Sequence, residues 1–484
     1  MRKLASDSLV YGLGSVANQA LSFLLLPLYT HYLTPADYGS LALIGAAGSI
    51  LGIMAALGLH SGLIRIFFLY SDPDQRRAVV FSALVFGVAA ASVTATLCLL
   101  ASPWLAPLVF DFEGGETYFK TAVAIYTVAA LNSISLSVLQ VYQRPKPYIF
   151  CSMAGLVSSM LVTVYLVVSA GRGILGVLEG QLVGIVVQLL LGLLASLQAI
   201  RIRFDLRALR EMLAFALPLI PTNFSAWVLS MADRYSLKLF STLTEVGLYA
   251  LGFRFGAIMD TLFVRPFQQA WYPYLFSSLE QPGYREMCAR VLEYYMFIGG
   301  AMVLGVALFA GDVIRMIADP SYWSAESVVY WIGLGTLLRG TTSITVASIH
   351  IEQKTHYSMY VYGFATGMNL LLLRLLVPGF GMLGAAWAIV ATYAVVTGAY
   401  WWIAARIHPI PYRRLKITGL VGLMTGLYVA GTFLPARTSA ATLLGKTLIF
   451  AAFPLLLLVF RFFSAEDVAR ARRYLRSKLR LARA

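Results

Sequence analysis

Apolar runs of about 20 residues or more, broken by short polar interruptions, succeed one another along almost the whole chain. They lie near residues 8–33, 39–69, 77–102, 117–142, 148–170, 174–200, 214–240, 246–276, 288–311, 326–350, 357–378, 381–405, 416–434 and 440–462. A helix of about 20 apolar residues crosses roughly 30 Å of hydrocarbon, so each run is long enough to span a bilayer. No stretch alternates apolar and polar residues with period two, which argues against an outer-membrane barrel. Backbone groups in lipid must then be satisfied within helices. The pattern predicts an all-α polytopic membrane protein with about 14 transmembrane helices. The longer runs must tilt, kink or project beyond the bilayer. Residues 8–33 exceed the apolar core of a cleavable signal, and no small-residue cleavage site follows, so they read as a retained first span.

Composition supports this class: 59% of residues are hydrophobic and 12% charged, against roughly 25% charged in soluble domains. Cys98, Cys151 and Cys288 have no paired spacing and read as small buried hydrophobes. With the N-terminus placed in the cytoplasm, 25 Lys and Arg fall in cytoplasmic segments and only five on the other side: Lys120, Arg172, Arg315, Arg437 and Lys446. That bias predicts both termini inside. It also accounts for most of the net charge of +15, and no soluble basic face with stacking aromatics suggests nucleic acid as a partner.

Two basic amphipathic segments, 201–213 and 464–484, are expected to lie on the anionic inner leaflet. A repeat is also visible. Thr34-Pro35-Ala36-Asp37-Tyr38-Gly39 and Thr242-Leu243-Thr244-Glu245-Val246-Gly247 stand 208 residues apart, each ahead of a long span. Six spans separate the copies, so the halves enter the membrane with the same polarity. The expected organisation is an N-lobe of six helices at 1–205 and a C-lobe of six at 206–410. Two further helices follow at 411–463, then a basic cytoplasmic tail at 464–484.

Seven basic residues fall within predicted spans: Arg65, Arg234, Lys238, Arg254, Arg265, Arg339 and Arg374. Each costs roughly 2.5–3.5 kcal/mol at a bilayer centre, which favours a wet cavity or an acidic partner over lipid. Asp233 and Asp260 are the clear intramembrane acids, with Glu179 and Glu293 nearer span ends. The cationic excess matches an anionic substrate. Arg254 and Arg265 stand 11 residues apart, which in a continuous helix gives nearly one face and about 16 Å separation. Gln269 extends that stripe and Asp260 is expected to point elsewhere. Arg65 and Arg374 lie near interfaces and have snorkelling as the alternative. Asp233 is expected to pair with a neighbour, and Arg339 has a structural ion pair as the alternative. Asn18, Gln19, Asn132, Gln140, Asn223 and Asn369 are mostly accounted for by interhelical hydrogen bonds.

There is no nucleotide-binding loop, no HExxH and no nucleophile elbow, and His31, His60, His350, His356 and His408 are scattered. The sequence therefore suggests neither a cofactor nor a metal. The loops are too short for a catalytic domain, so transport fits better than catalysis.

The opening stretch Leu9-Val10-Tyr11-Gly12-Leu13-Gly14-Ser15-Val16-Ala17-Asn18-Gln19 is followed by Leu26-Pro27-Leu28-Tyr29-Thr30-His31-Tyr32-Leu33 and the turn Thr34-Pro35-Ala36-Asp37-Tyr38-Gly39. In these residues, and in organisation along nearly the whole chain, the sequence resembles the polysaccharide transporters, or oligosaccharide flippases, of the multidrug/oligosaccharidyl-lipid/polysaccharide (MOP) flippase superfamily. The resemblance implies a V-shaped pair of six-helix lobes in a bacterial plasma membrane. It further implies flipping of a polyprenyl (undecaprenyl) diphosphate-linked oligosaccharide for surface polysaccharide synthesis by alternating access. Spans one, two, seven and eight would line the cavity, which brings Arg65, Arg234, Lys238, Arg254 and Arg265 to the substrate, with Arg339 from the tenth span. Guanidinium groups suit a diphosphate because they stay charged and bind its oxygens bidentately. Asp233 and Asp260 are the candidate ion-coupling carboxylates. Membrane lipids, a polysaccharide polymerase and glycosyltransferases are the expected neighbours. Two alternatives remain at this stage, a drug/cation antiporter of the same superfamily and a non-transporting scaffold for glycan-assembly enzymes.

Overall fold

The computed structural model describes residues 19, 21, 23–110, 114–200, 202–352, 354, 356–435, 439–459 and 462. Half of the first expected span, including Asn18, and the 464–484 tail lie outside the described residues. Among the described residues every regular element is helical, and 11 helices are long and apolar enough to cross a membrane.

The chain divides into two compact units. The first comprises Met1–Ala250, Ile317–Tyr322 and Asn369–Ala385. It contains α1 (Leu26–Tyr32), α2 (Pro35–Ala56), α3 (Leu59–Phe67), α4 (Pro73–Leu100), α5 (Ser102–Val109), α6 (Gly115–Val141), α7 (Pro145–Val164), α8 (Gly173–Ser196), α9 (Leu206–Ala216) and α10 (Leu219–Phe240). The start of α11 (Leu243–Gly256) completes it. Proline opens α2, α4 and α7, where the missing N–H has no intrahelical partner to lose. Leu59, Leu63, Val79, Ile134, Val138 and Met212 form a core joining α3, α4, α6 and α9.

The second unit comprises Leu251–Met316, Trp323–Met368 and Ala386–Ala484. Its elements are the end of α11, α12 (Arg265–Ser277), α13 (Tyr284–Ile317), α14 (Glu326–Thr345), α15 (Ala347–Ile351), both ends of α16 (His356–Ile407), α17 (Arg414–Thr432) and α18 (Ala440–Val459). Trp271, Leu292, Met296, Leu334, Leu420 and Phe453 belong to its apolar core.

Three departures from the expected spans have local causes. The run expected at 39–69 breaks where Leu57 and Gly58 take left-handed φ of 47° and 67°, ending α2 and starting α3. The expected pair 357–378 and 381–405 forms the single run α16, broken only at Gly381, whose φ of 52° and ψ of −131° no side-chain-bearing residue adopts cheaply. The tenth run is interrupted at Val346 into α14 and α15, and α14 carries the small residues Gly333, Gly335, Gly340, Thr341 and Ser343. Small residues of this kind permit close helix packing, and α14 is buried along nearly its whole length.

Candidate functional site

Of the ionisable residues expected in the spans, Asp233 and Arg234 form a cluster in the first unit, and Asp260, Arg265 and Arg339 form one in the second. In the first unit Asp233 and Arg234 are 4% and 8% exposed near the middle of α10. Arg234 Nη1 donates to Asp233 Oδ1 at 3.0 Å, and its backbone N–H donates to the same oxygen at 2.8 Å. The second carboxylate oxygen accepts from the fully buried Tyr249 hydroxyl at 2.6 Å, and the Arg234 guanidinium lies 5.9 Å from the centroid of the Tyr249 ring. A charge buried to this degree requires a partner, and Asp233 supplies it. The expectation that Asp233 pairs with a neighbour holds, but the neighbour is Arg234 itself, so both are engaged. Lys238 follows one turn later and is half-buried.

The second cluster is built on a helix irregularity. After α11 the chain turns at Ala257 and then forms a π turn, Asp260–Val264, before α12 begins. In an α-helix, residues five apart lie about 140° apart around the axis, so sequence spacing predicts that Asp260 faces away from Arg265. The π turn instead closes an i→i+5 bond from Arg265 N–H to the Asp260 carbonyl. This brings the two side chains onto one face, and Arg265 Nε donates to Asp260 Oδ2 at 2.7 Å. Arg339 of α14 donates to the other oxygen, Asp260 Oδ1. The expectation that Asp260 points elsewhere is therefore corrected. The same irregularity removes the continuous helix on which the shared face of Arg254 and Arg265 depended.

Aromatic rings fix this arrangement. Phe263 and Phe267 pack against Tyr295 of α13 at centroid distances of 4.9 and 4.6 Å. Phe267 stacks on Trp271 at 6.0 Å, and the Trp271 indole N–H donates to the Ser343 carbonyl of α14 at 3.1 Å. One carboxylate thus holds two guanidinium groups, leaving the trio one positive charge in excess. Asp260 is 14% exposed, Arg339 37% and Arg265 69%, so the cationic side of the trio is the accessible one. Arg254 is half-buried on α11. Arg65 and Arg374 are exposed on α3 and α16 and make no ion pair among the described residues.

Sequence reasoning missed three further polar clusters. Arg315 and Lys446 were counted only as charges on the non-cytoplasmic side. Arg315 Nη2 donates to both oxygens of Glu326 at 2.6 and 2.7 Å. Lys446 lies well inside α18, and its ammonium is held by Asp312 at 2.5 Å, both side chains being 10% exposed. His408, taken as isolated, bonds the Tyr284 hydroxyl through Nε2 and Glu352 Oε1 through Nδ1, the latter at 2.9 Å. The adjacent Asp233-Arg234 pair was a readable signal. Nothing in sequence spacing joins residues 284, 352 and 408. No group of three or more His, Cys, Asp or Glu that could hold a metal occurs among the described residues.

Helices of this length and composition define a multi-pass membrane protein, and its fold is that of the MOP transporters. A solved lipid II flippase MurJ in an inward closed conformation matches with TM-score 0.70 and 13% identity, over 94% of this chain and 99% of that one. An inward-facing multidrug resistance MATE family transporter of the MOP superfamily matches with TM-score 0.64 and 14% identity, over 82% and 98%. The chain belongs to the polysaccharide biosynthesis protein family, whose model matches residues 30–326. It is also 25% identical over 345 residues to Lsg locus putative protein 1 of Haemophilus influenzae, covering 70% of this chain and 79% of that protein.

Proposed function

We propose that this protein is a flippase that carries a polyprenyl-diphosphate-linked oligosaccharide across the bacterial plasma membrane by alternating access, with no chemistry of its own on the cargo. The observation that carries this reading is the Asp260 trio, where two guanidinium groups share one carboxylate and keep a positive charge in reserve. A diphosphate offers the same bidentate oxygen geometry as a carboxylate, with more charge. It therefore replaces Asp260 on Arg265 and Arg339, while the aromatic stack keeps both in place. Arg254, Arg65 and Lys238 supply further positive charge along the route, and the engaged Arg234 with Asp233 braces α10. Membership of the polysaccharide biosynthesis protein family supports this reading.

The organisation expected from the repeat, lobes at 1–205 and 206–410 with two added helices, is part of this proposal, as are cytoplasmic termini. Asp260 is the favoured ion-coupling carboxylate, because neutralising it releases two cations at once. Flipping of a labelled lipid-linked glycan in proteoliposomes tests the reading. Arg265→Ala/Arg339→Ala is expected to abolish flipping with the protein still folded. Undiminished flipping by that variant removes the trio from the mechanism. Loss of transport on collapsing the proton or sodium gradient supports coupling through Asp260, and insensitivity to both counts against it.

A further inference from the structure

An apolar groove on α16 shares no residue with the clusters described above. Within the second unit the two ends of α16 run side by side and leave an apolar hollow of about 220 Å³ between them. Tyr360, Phe364 and Trp402 form its walls, and Ala365, Val396 and Ile403 its floor. The wall residues are exposed and the floor residues buried, so the hollow opens on an exposed face of these apolar helices. Its volume falls below the roughly 300–1,000 Å³ of sites for drug-sized ligands, which leaves room for a single chain.

A hollow of this kind alone is only lipid-facing surface. Arg406 makes it more. It follows Trp402 by four residues, on the same helix face, and its guanidinium lies 3.8 Å from the centroid of the Trp402 ring. The side chain is exposed and has no acidic partner among the described residues. An apolar slot thus ends at a cation fixed by stacking on the slot's own wall, at the end of the span where the chain leaves the bilayer. We infer that the groove binds an anionic glycerophospholipid, one acyl chain lying between Phe364 and Trp402 and the phosphate on Arg406. A zwitterionic or neutral lipid fills the slot equally well but brings no net charge for the guanidinium. The site is independent of the cargo reading, since it shares no residue with the Asp260 trio.

The full-length protein in phosphatidylcholine nanodiscs, doped with phosphatidylglycerol carrying an acyl-chain diazirine, gives the test. After irradiation, adducts are expected on residues 357–366 and 395–403. Arg406→Gln is expected to lower their yield about five-fold, the factor for one basic residue at an anionic surface. A phosphatidylcholine probe should label the wild type only as well as phosphatidylglycerol labels that variant. Ala399→Phe, which fills the half-exposed floor edge, should remove adducts here and spare those elsewhere. Equal labelling by both headgroups overturns the proposal, as does an unchanged yield in Arg406→Gln. Competition by polyprenyl phosphate but not by phosphatidylglycerol also overturns it, by assigning the slot to a different lipid.

Discussion

Gly39 and Gly247, 208 residues apart in the sequence, lie backbone against backbone in the first unit. A Cβ built on either would stand 2.9 Å from the amide nitrogen of the other. Each belongs to one copy of the repeated motif, and each copy begins a helix. Thr34 caps α2 in a capping box with Asp37, and Thr242 Oγ1 accepts from Glu245 N–H at the start of α11. The repeat therefore encodes a contact between its own two copies, possible only because neither glycine has a side chain.

The first prediction follows from that contact. Gly247→Val forces the Pro35 carbonyl and the facing backbone apart, since a Cβ at 247 overlaps the Pro35 oxygen. Overpacking of this kind costs about 1–3 kcal/mol. A lowered melting temperature is expected, with flipping reduced beyond what that loss explains. Wild-type stability in Gly247→Val would show that the helices separate there without cost.

A second prediction concerns how the copies differ. Asp37 closes on its own cap, whereas Glu245 reaches away and accepts the Met382 N–H at 2.8 Å, beside the break at Gly381. Glu245→Gln should loosen the start of the helix after the break. A charge-assisted bond contributes about 1.5–3 kcal/mol, reduced here to about 1 kcal/mol because Glu245 is half-exposed. Hydrogen exchange at Met382–Ala385 should quicken accordingly, and unchanged protection would mean that the carboxylate is not the cap.

The Lys446–Asp312 pair gives a third. Lys446→Met alone strands a buried carboxylate and should cost about 3–5 kcal/mol, whereas Lys446→Met/Asp312→Leu should come near the wild type. Thermal unfolding of the single and double variants measures the coupling. If the two substitutions simply add, the pair does not stabilise the protein.

A fourth prediction tests the link among Tyr284, His408 and Glu352. His408→Ala removes both bonds at once, and at about 0.5–1.5 kcal/mol each it should speed exchange at 278–284 and 408–413 together. Acceleration confined to 408–413 would mean that the segments are not tied.

The membrane class and most span positions were legible because each apolar run must satisfy its backbone alone in lipid. The Asp260 trio was not legible. Its geometry depends on the π turn at 260–264, and a helix that changes period defeats any argument from α-helical spacing. Lys446 was counted with the outer-side charges although it falls inside the run at 440–462, and nothing in sequence spacing joins it to Asp312. His408 was misread because its partners come from the ends of two other helices, Tyr284 opening α13 and Glu352 closing α15.

The central claim is that Asp260 holds the place of a diphosphate on Arg265 and Arg339. Equilibrium binding of a short-chain prenyl-diphosphate disaccharide to purified protein tests it most directly. The account predicts that Asp260→Asn binds more tightly than the wild type, and that Arg265→Ala/Arg339→Ala binds about ten- to hundred-fold more weakly, as expected for lost charge-assisted bonds. Equal affinity across the three proteins would contradict it.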